Sequence, residues 1–130
     1  MTAHPTKGTT ARVRELMSAP VLTTTPRTKA TDAALVIALR DITSLPVLDD
    51  GRLVGMFTEA DLVRHRPAAA QAALVVEDVM TTVTLVATPE CAAAELADTM
   101  RRRGIHAVPV LDNGRLVGII TGNDLRGRTR

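Results

Sequence analysis

Leu45–Leu62 reads LPVLDDGRLVGMFTEADL and Val108–Leu125 reads VPVLDNGRLVGIITGNDL, so the chain writes one pattern twice. In the first copy two apolar runs, Leu45 to Leu48 and Leu53 to Phe57, flank Asp49-Asp50-Gly51, and the second copy has Asp112-Asn113-Gly114 at that place. Asp-Gly or Asn-Gly between apolar runs predicts a β-hairpin, because a two-residue type I′ turn needs positive φ at both central positions. Thr58-Glu59-Ala60-Asp61 and Thr121-Gly122-Asn123-Asp124 then open short helical segments, with Thr placed as N-cap.

Working outward, a shift of 63 residues superimposes the chain on itself without a gap. Met17 falls on Met80, Thr25-Pro26 on Thr88-Pro89 and Ile42 on Ile105, and about 21 of 50 aligned positions are identical. Each copy begins with an apolar stretch (Val21-Leu22; Val83 to Val86), followed by Thr-Pro and a helix-length segment. Ala93, Leu96, Ala97 and Met100 recur at helical spacing in the second copy, and that helix is expected to end near Gly104. The unit is thus strand, helix, hairpin, helix. Its opening strand should pair in parallel with the strand after the helix by a right-handed crossover, giving a small mixed sheet with helices on one face. Neither copy has enough core to stand alone, so each sheet is expected to cover the other, back to back.

Composition narrows the function. Phe57 is the only aromatic residue, which removes the stacking platforms that single-stranded nucleic acids need. A net charge of +2 disfavours duplex binding as well, and much of the basic excess (Arg12, Arg14, Arg126, Arg128, Arg130) lies near the ends, where a solvated, frayed tail accounts for it. Cys91 is the single cysteine, and no N-terminal apolar stretch resembles a signal peptide or membrane span, so a cytoplasmic location is expected, with no membrane partner. No Ser-His-Asp or Cys-His pairing is legible and no His or Cys spacing suggests a metal, which argues against an enzyme. The Gly51–Gly55 and Gly114–Gly118 segments lack the lysine of a phosphate loop and read as turn chemistry and close packing.

The opening Met, the Thr-Pro stretch, the Pro-Val-Leu-Asp hairpin and the closing Gly-x-x-Thr-x-x-Asp, all doubled, resemble the CBS (cystathionine β-synthase) domain in its tandem arrangement, the Bateman module. The resemblance covers roughly residues 12 to 128. It implies an α/β chain of the α+β type, two β-α-β-β-α repeats packed through their sheets with pseudo-twofold symmetry. Repeat 1 would span 12–66 and repeat 2 75–128, with a linker over 67–74 and a flexible tail over 1–11. It also implies two clefts for an adenosine-type regulatory ligand (AMP, ADP, ATP or S-adenosylmethionine) and no required cofactor. One residue set joins Thr121, Asn123 and Asp124 to Met17, Ala19, Ile42, Thr43 and Ser44. The other joins Thr58, Ala60 and Asp61 to Met80, Thr82, Ile105, His106 and Ala107.

The chemistry is consistent with that implication, since a carboxylate can accept from ribose hydroxyls and helix N-terminal amides suit phosphate. Thr-x-x-Asp also reads as a plain capping arrangement, and the two roles can coexist. His106, implied to reach a phosphate, reads equally as a solvated histidine. Arg64, His65, Arg66, Arg126 and Arg128 fit either a polyphosphate tail or a solvated surface run. Leu35, Val36 and Leu39 add a second apolar face to a helix whose core stripe is Ala30, Ala33, Ala34 and Ile37, while the second copy has Asp98, Thr99 and Arg102 there. A homodimer packed partly through that face is expected, together with an unidentified protein partner. Three functions compete: a nucleotide-sensing module, a ligand-free oligomerisation scaffold, and nucleic-acid binding through the basic ends.

Overall fold

A computed structural model describes residues 11–65 and 72–127. Tail positions 1–10, linker positions 67–71, and Arg66 and Arg128 lie outside the described residues. The chain divides into two compact units, but the division does not follow the sequence copies. A continuous unit holds Leu22–Thr84, and a split unit joins Met1–Val21 to Leu85–Arg130. Each copy therefore gives its opening arm to the unit that carries the other copy's hairpin.

In the continuous unit, α2 (Ala30–Arg40) precedes the hairpin of β1 (Leu45–Asp49) and β2 (Arg52–Phe57), and α3 (Glu59–His65) follows. The strands pair antiparallel from Leu45 opposite Phe57 to Asp49 opposite Arg52, with a bulge between Val47 and Leu48. The turn has Asp50 at φ 52° and Gly51 at φ 80°, both in the positive region that the Asp-Gly signal predicts. The arm of the second copy, with the single turn α4 (Val76–Val79), completes this unit. The split unit repeats the plan with α1 (Val13–Leu16) as its arm, α5 (Ala93–Arg103), β3 (Ala107–Asp112), β4 (Arg115–Thr121) and α6 (Gly122–Gly127). Its turn has Asn113 at φ 53° and Gly114 at φ 81°. Helix α5 stops at Gly104, whose φ of 67° suits a glycine C-cap.

The opening strands are shorter than expected. Each is reduced to one parallel bridge, Thr24 to Val47 and Ala87 to Val110. Thr24 N–H donates to the Pro46 carbonyl at 3.0 Å, and the Thr24 carbonyl accepts from Leu48 N–H at 2.9 Å. Pro26 and Pro89 follow within two residues, have no N–H and end the extended run. The mixed character survives as one parallel contact beside each antiparallel hairpin.

The arms close the other sheet edge. Thr81 exchanges two backbone hydrogen bonds with Met56, at 2.8 and 2.9 Å, and Ser18 exchanges two with Ile119, at 2.8 and 3.1 Å. Val76 and Val79 join Ala30, Ala33, Ile37, Leu45, Val47, Phe57 and Leu62 in the core of the continuous unit. Val13 joins Ala87, Leu96, Met100, Val108, Val110 and Ile120 in that of the split unit. Arg12 and Arg14, expected in a frayed tail, are instead held: the Arg12 carbonyl and N–H bond Glu15, Arg14 N–H donates to the Pro89 carbonyl, and the Arg14 guanidinium pairs with Glu90 at 3.4 Å. They are fixed because the neighbouring Val13 is buried as the arm's anchor. Among the described residues no helix is long and apolar enough to cross a membrane.

The glycines of the doubled GRLVG run explain themselves at this edge. A Cβ on Gly118 would stand 2.5 Å from Met17 Sδ and 3.1 Å from the Ser18 carbonyl, and one on Gly55 would stand 2.6 Å from Met80 Sδ and 3.1 Å from the Thr81 carbonyl. The arm can lie this close only where a strand has no side chain. Gly118→Ala is therefore expected to lower stability by about 1–3 kcal/mol in urea unfolding, the usual cost of overpacking. Adding Met17→Ala should recover part of that loss, because the sulfur is the nearer obstacle.

Candidate functional site

The two Thr-Asp pairs stand where hairpin passes into helix, and each closes a reciprocal box. Thr58 N–H donates to Asp61 Oδ2 at 2.9 Å while Asp61 N–H donates to Thr58 Oγ1 at 3.2 Å. The second pair has the same geometry: Thr121 N–H to Asp124 Oδ2 at 2.9 Å, and Asp124 N–H to Thr121 Oγ1 at 3.2 Å. The capping expected of Thr-x-x-Asp is thus present at both sites, with the acid reaching back to satisfy the threonine amide. One carboxylate oxygen of each aspartate is committed to it.

The second oxygens differ. Asp61 Oδ1 accepts from the Thr81 hydroxyl at 3.0 Å and from the Arg64 guanidinium, and the residue is 3% exposed. Asp124 is only half-buried, and its Oδ1 has no protein partner among the described residues. The sequence explains the Arg64 part of the contrast, since its counterpart is Gly127, which has no side chain; the counterpart of Thr81 is Ser18, whose hydroxyl makes no hydrogen bond to Asp124 among the described residues.

The remaining candidates fall into place unit by unit. Met17 and Ala19 belong to the split unit, as do Thr121, Asn123, Asp124, Ile105, His106 and Ala107. Ala107 pairs directly with Thr121, and the His106 carbonyl accepts from Gly122 N–H at 3.3 Å while its side chain is exposed. Asn123 Oδ1 accepts from Arg126 at 2.7 Å. Met80, Thr82, Thr58, Ala60, Asp61, Ile42, Thr43 and Ser44 belong to the continuous unit. Thr43 is exposed, whereas Ser44 is 6% exposed and its hydroxyl is buried without a hydrogen-bond partner. A buried hydroxyl left unpaired costs roughly 1–3 kcal/mol, so Ser44 is a group that a ligand or a water would satisfy. No cluster of His, Cys, Asp or Glu suited to a metal occurs among the described residues.

Two participants escaped the sequence reading. Thr81 lies between the named Met80 and Thr82, and the period-two alternation of an extended segment puts it on the opposite side from both. Arg64, which by sequence fits either a polyphosphate tail or a solvated surface run and is not expected to hold Asp61, sits three residues after it on α3, a spacing at which side chains meet.

Comparison with known proteins agrees with this architecture. The CBS domain profile matches residues 13–68 and 76–128, so the chain belongs to the CBS domain family as a tandem pair. Among solved structures, the CBS domain pair of protein MJ0100, in complex with 5′-methylthioadenosine and S-adenosyl-L-methionine, is 30% identical. It superimposes with a TM-score of 0.81 over 93% of this chain and 99% of that one. A CBS-domain protein of Agrobacterium tumefaciens is 29% identical, with a TM-score of 0.83 over 92% of this chain and 100% of its own. Protein MJ1225 of Methanocaldococcus jannaschii is 33% identical over 113 residues, 86% of this chain. The chain spans 40% of that relative's length and 24% of that of an L-aspartate semialdehyde sulfurtransferase from the same organism.

The two boxes carry unequal loads, and stability should show it. Thr58→Ala and Thr121→Ala are each expected to cost about 1 kcal/mol, the worth of a lost cap. Asp61→Ala should cost more than Asp124→Ala in denaturant titration, because it also strands the Thr81 hydroxyl and Arg64. In a double-mutant cycle Thr81→Ala should couple to Asp61→Ala and not to Asp124→Ala.

Proposed function

We propose that this CBS pair is a non-catalytic regulatory module that binds an adenosine-type ligand: AMP, ADP, ATP or S-adenosylmethionine. The observation that carries the reading is Asp124, a carboxylate fixed through one oxygen by the Thr121 amide, with the other held by no protein group among the described residues. An acceptor so placed suits the vicinal hydroxyls of a ribose, which donate to a carboxylate in dinucleotide-binding folds. The 5′-methylthioadenosine and S-adenosyl-L-methionine bound by a relative 30% identical support the same chemistry. The two residue sets drawn from the resemblance are kept as the proposed contacts, with His106 as the one that reaches phosphate. Binding would favour one conformation of the module, which an unidentified protein partner reads.

A second reading, an oligomerisation scaffold without ligand, is favoured by one observation, that both Thr-Asp boxes are complete as caps without any ligand. Titration calorimetry with an adenosine panel separates the two. Wild-type protein should give heat with at least one of AMP, ATP or S-adenosylmethionine, and Asp124→Ala should weaken that binding ten- to a hundredfold. Loss of hydrogen bonds to an ionised acceptor, about 1.5–3 kcal/mol, corresponds to that range. Absence of heat and of any melting shift with all three at millimolar concentration would sink the nucleotide reading and leave the scaffold.

Assembly is proposed as a homodimer through α2. Leu35, Val36 and Leu39 are 55%, 37% and 72% exposed, while the corresponding face of α5 carries Asp98 paired with Arg101 and Arg102. Leu35→Glu with Leu39→Glu should convert a dimer into a soluble monomer by light scattering. An unchanged dimer would refute this interface.

A further inference from the structure

Resting on the nucleotide reading above, we infer that the module takes one adenosine ligand per chain, held through Asp124, and that the Asp61 half is shut by its own side chains. An ionised carboxylate is an acceptor only, with about four lone-pair positions on its two oxygens. Asp61 already commits at least three of them, to the Thr58 amide, the Thr81 hydroxyl and the Arg64 guanidinium. It is also closed from solvent, at 3% exposure. A ribose diol arriving there would have to break a charge-assisted bond, of the stronger kind, and displace a hydroxyl in the same step. At Asp124 the same diol meets an oxygen that no described protein group holds.

The charged half of the difference is written in the chain, where Gly127, without a side chain, stands for Arg64. The latch of Arg64 and Thr81 thus makes two near-identical half-motifs inequivalent.

The test counts ligands per chain by titration calorimetry, using S-adenosylmethionine and AMP on the full chain. Wild type should bind one equivalent, with its affinity lowered by Asp124→Ala. The double variant Arg64→Gly with Thr81→Val, which removes both latch donors, should bind two. If the double variant melts below the working temperature, Arg64→Gly alone serves, with a second, weaker equivalent expected. Two equivalents in wild type would overturn the inference while leaving the nucleotide reading intact. One equivalent in wild type and variant alike would overturn the role of the latch. No binding by either protein would remove the nucleotide reading itself, and the inference with it.

Discussion

Everything in this fold depends on the backbone of each arm lying directly against a strand that lacks a side chain at the point of approach. At Gly55 and Gly118 a Cβ would collide with a methionine sulfur and come within 3.1 Å of a carbonyl. The hairpins could form without these contacts, because their turns are specified locally. The units could not, because the arms supply both the paired edge and the core residues Val13, Val76 and Val79. Two short strands and two helices bury too little apolar surface to stand by themselves. The arm's single helical turn, buried on one side, is what brings the core to a viable size.

The same edge reaches the site. Thr81 both pairs with Met56 through its backbone and donates its hydroxyl to Asp61. Packing and the Thr-Asp box therefore share a residue in the continuous unit. In the split unit Ser18 makes the backbone pairing, and among the described residues no protein group holds the second oxygen of Asp124. A duplication leaves two copies free to diverge, and here the divergence is small in sequence yet decisive in hydrogen bonding.

The hairpins and helices were legible because their signals are local: positive φ at Asp-Gly and Asn-Gly, and apolar recurrence along α2 and α5. The opening strands were not, since Thr-Pro ends an extended run that hydropathy alone would prolong. Nor was the exchange of arms, because Met17 and Met80 face equivalent glycines and the repeat pattern is satisfied whichever copy each arm serves. At the site, doubling made Thr58, Asp61, Thr121 and Asp124 stand out, and their capping geometry agrees with the pattern. The inequality between them depended on Arg64 and Thr81, two residues that only differ from their counterparts and so leave no trace in a search for what the copies share.

The two segments of the split unit flank the continuous unit in the chain, which fixes an order of events during synthesis. The continuous unit has all of its residues once Thr84 has left the ribosome, whereas the arm carrying Val13, made before it, has nothing to pack against until β4 emerges. Chains elongate at roughly 5–20 residues per second, and domains fold as units as they appear. That arm is consequently made before the continuous unit and buried after it. For some seconds the nascent chain carries a folded unit with an unsheltered arm ahead of it, and that interval is when a chaperone or a protease has access to the arm.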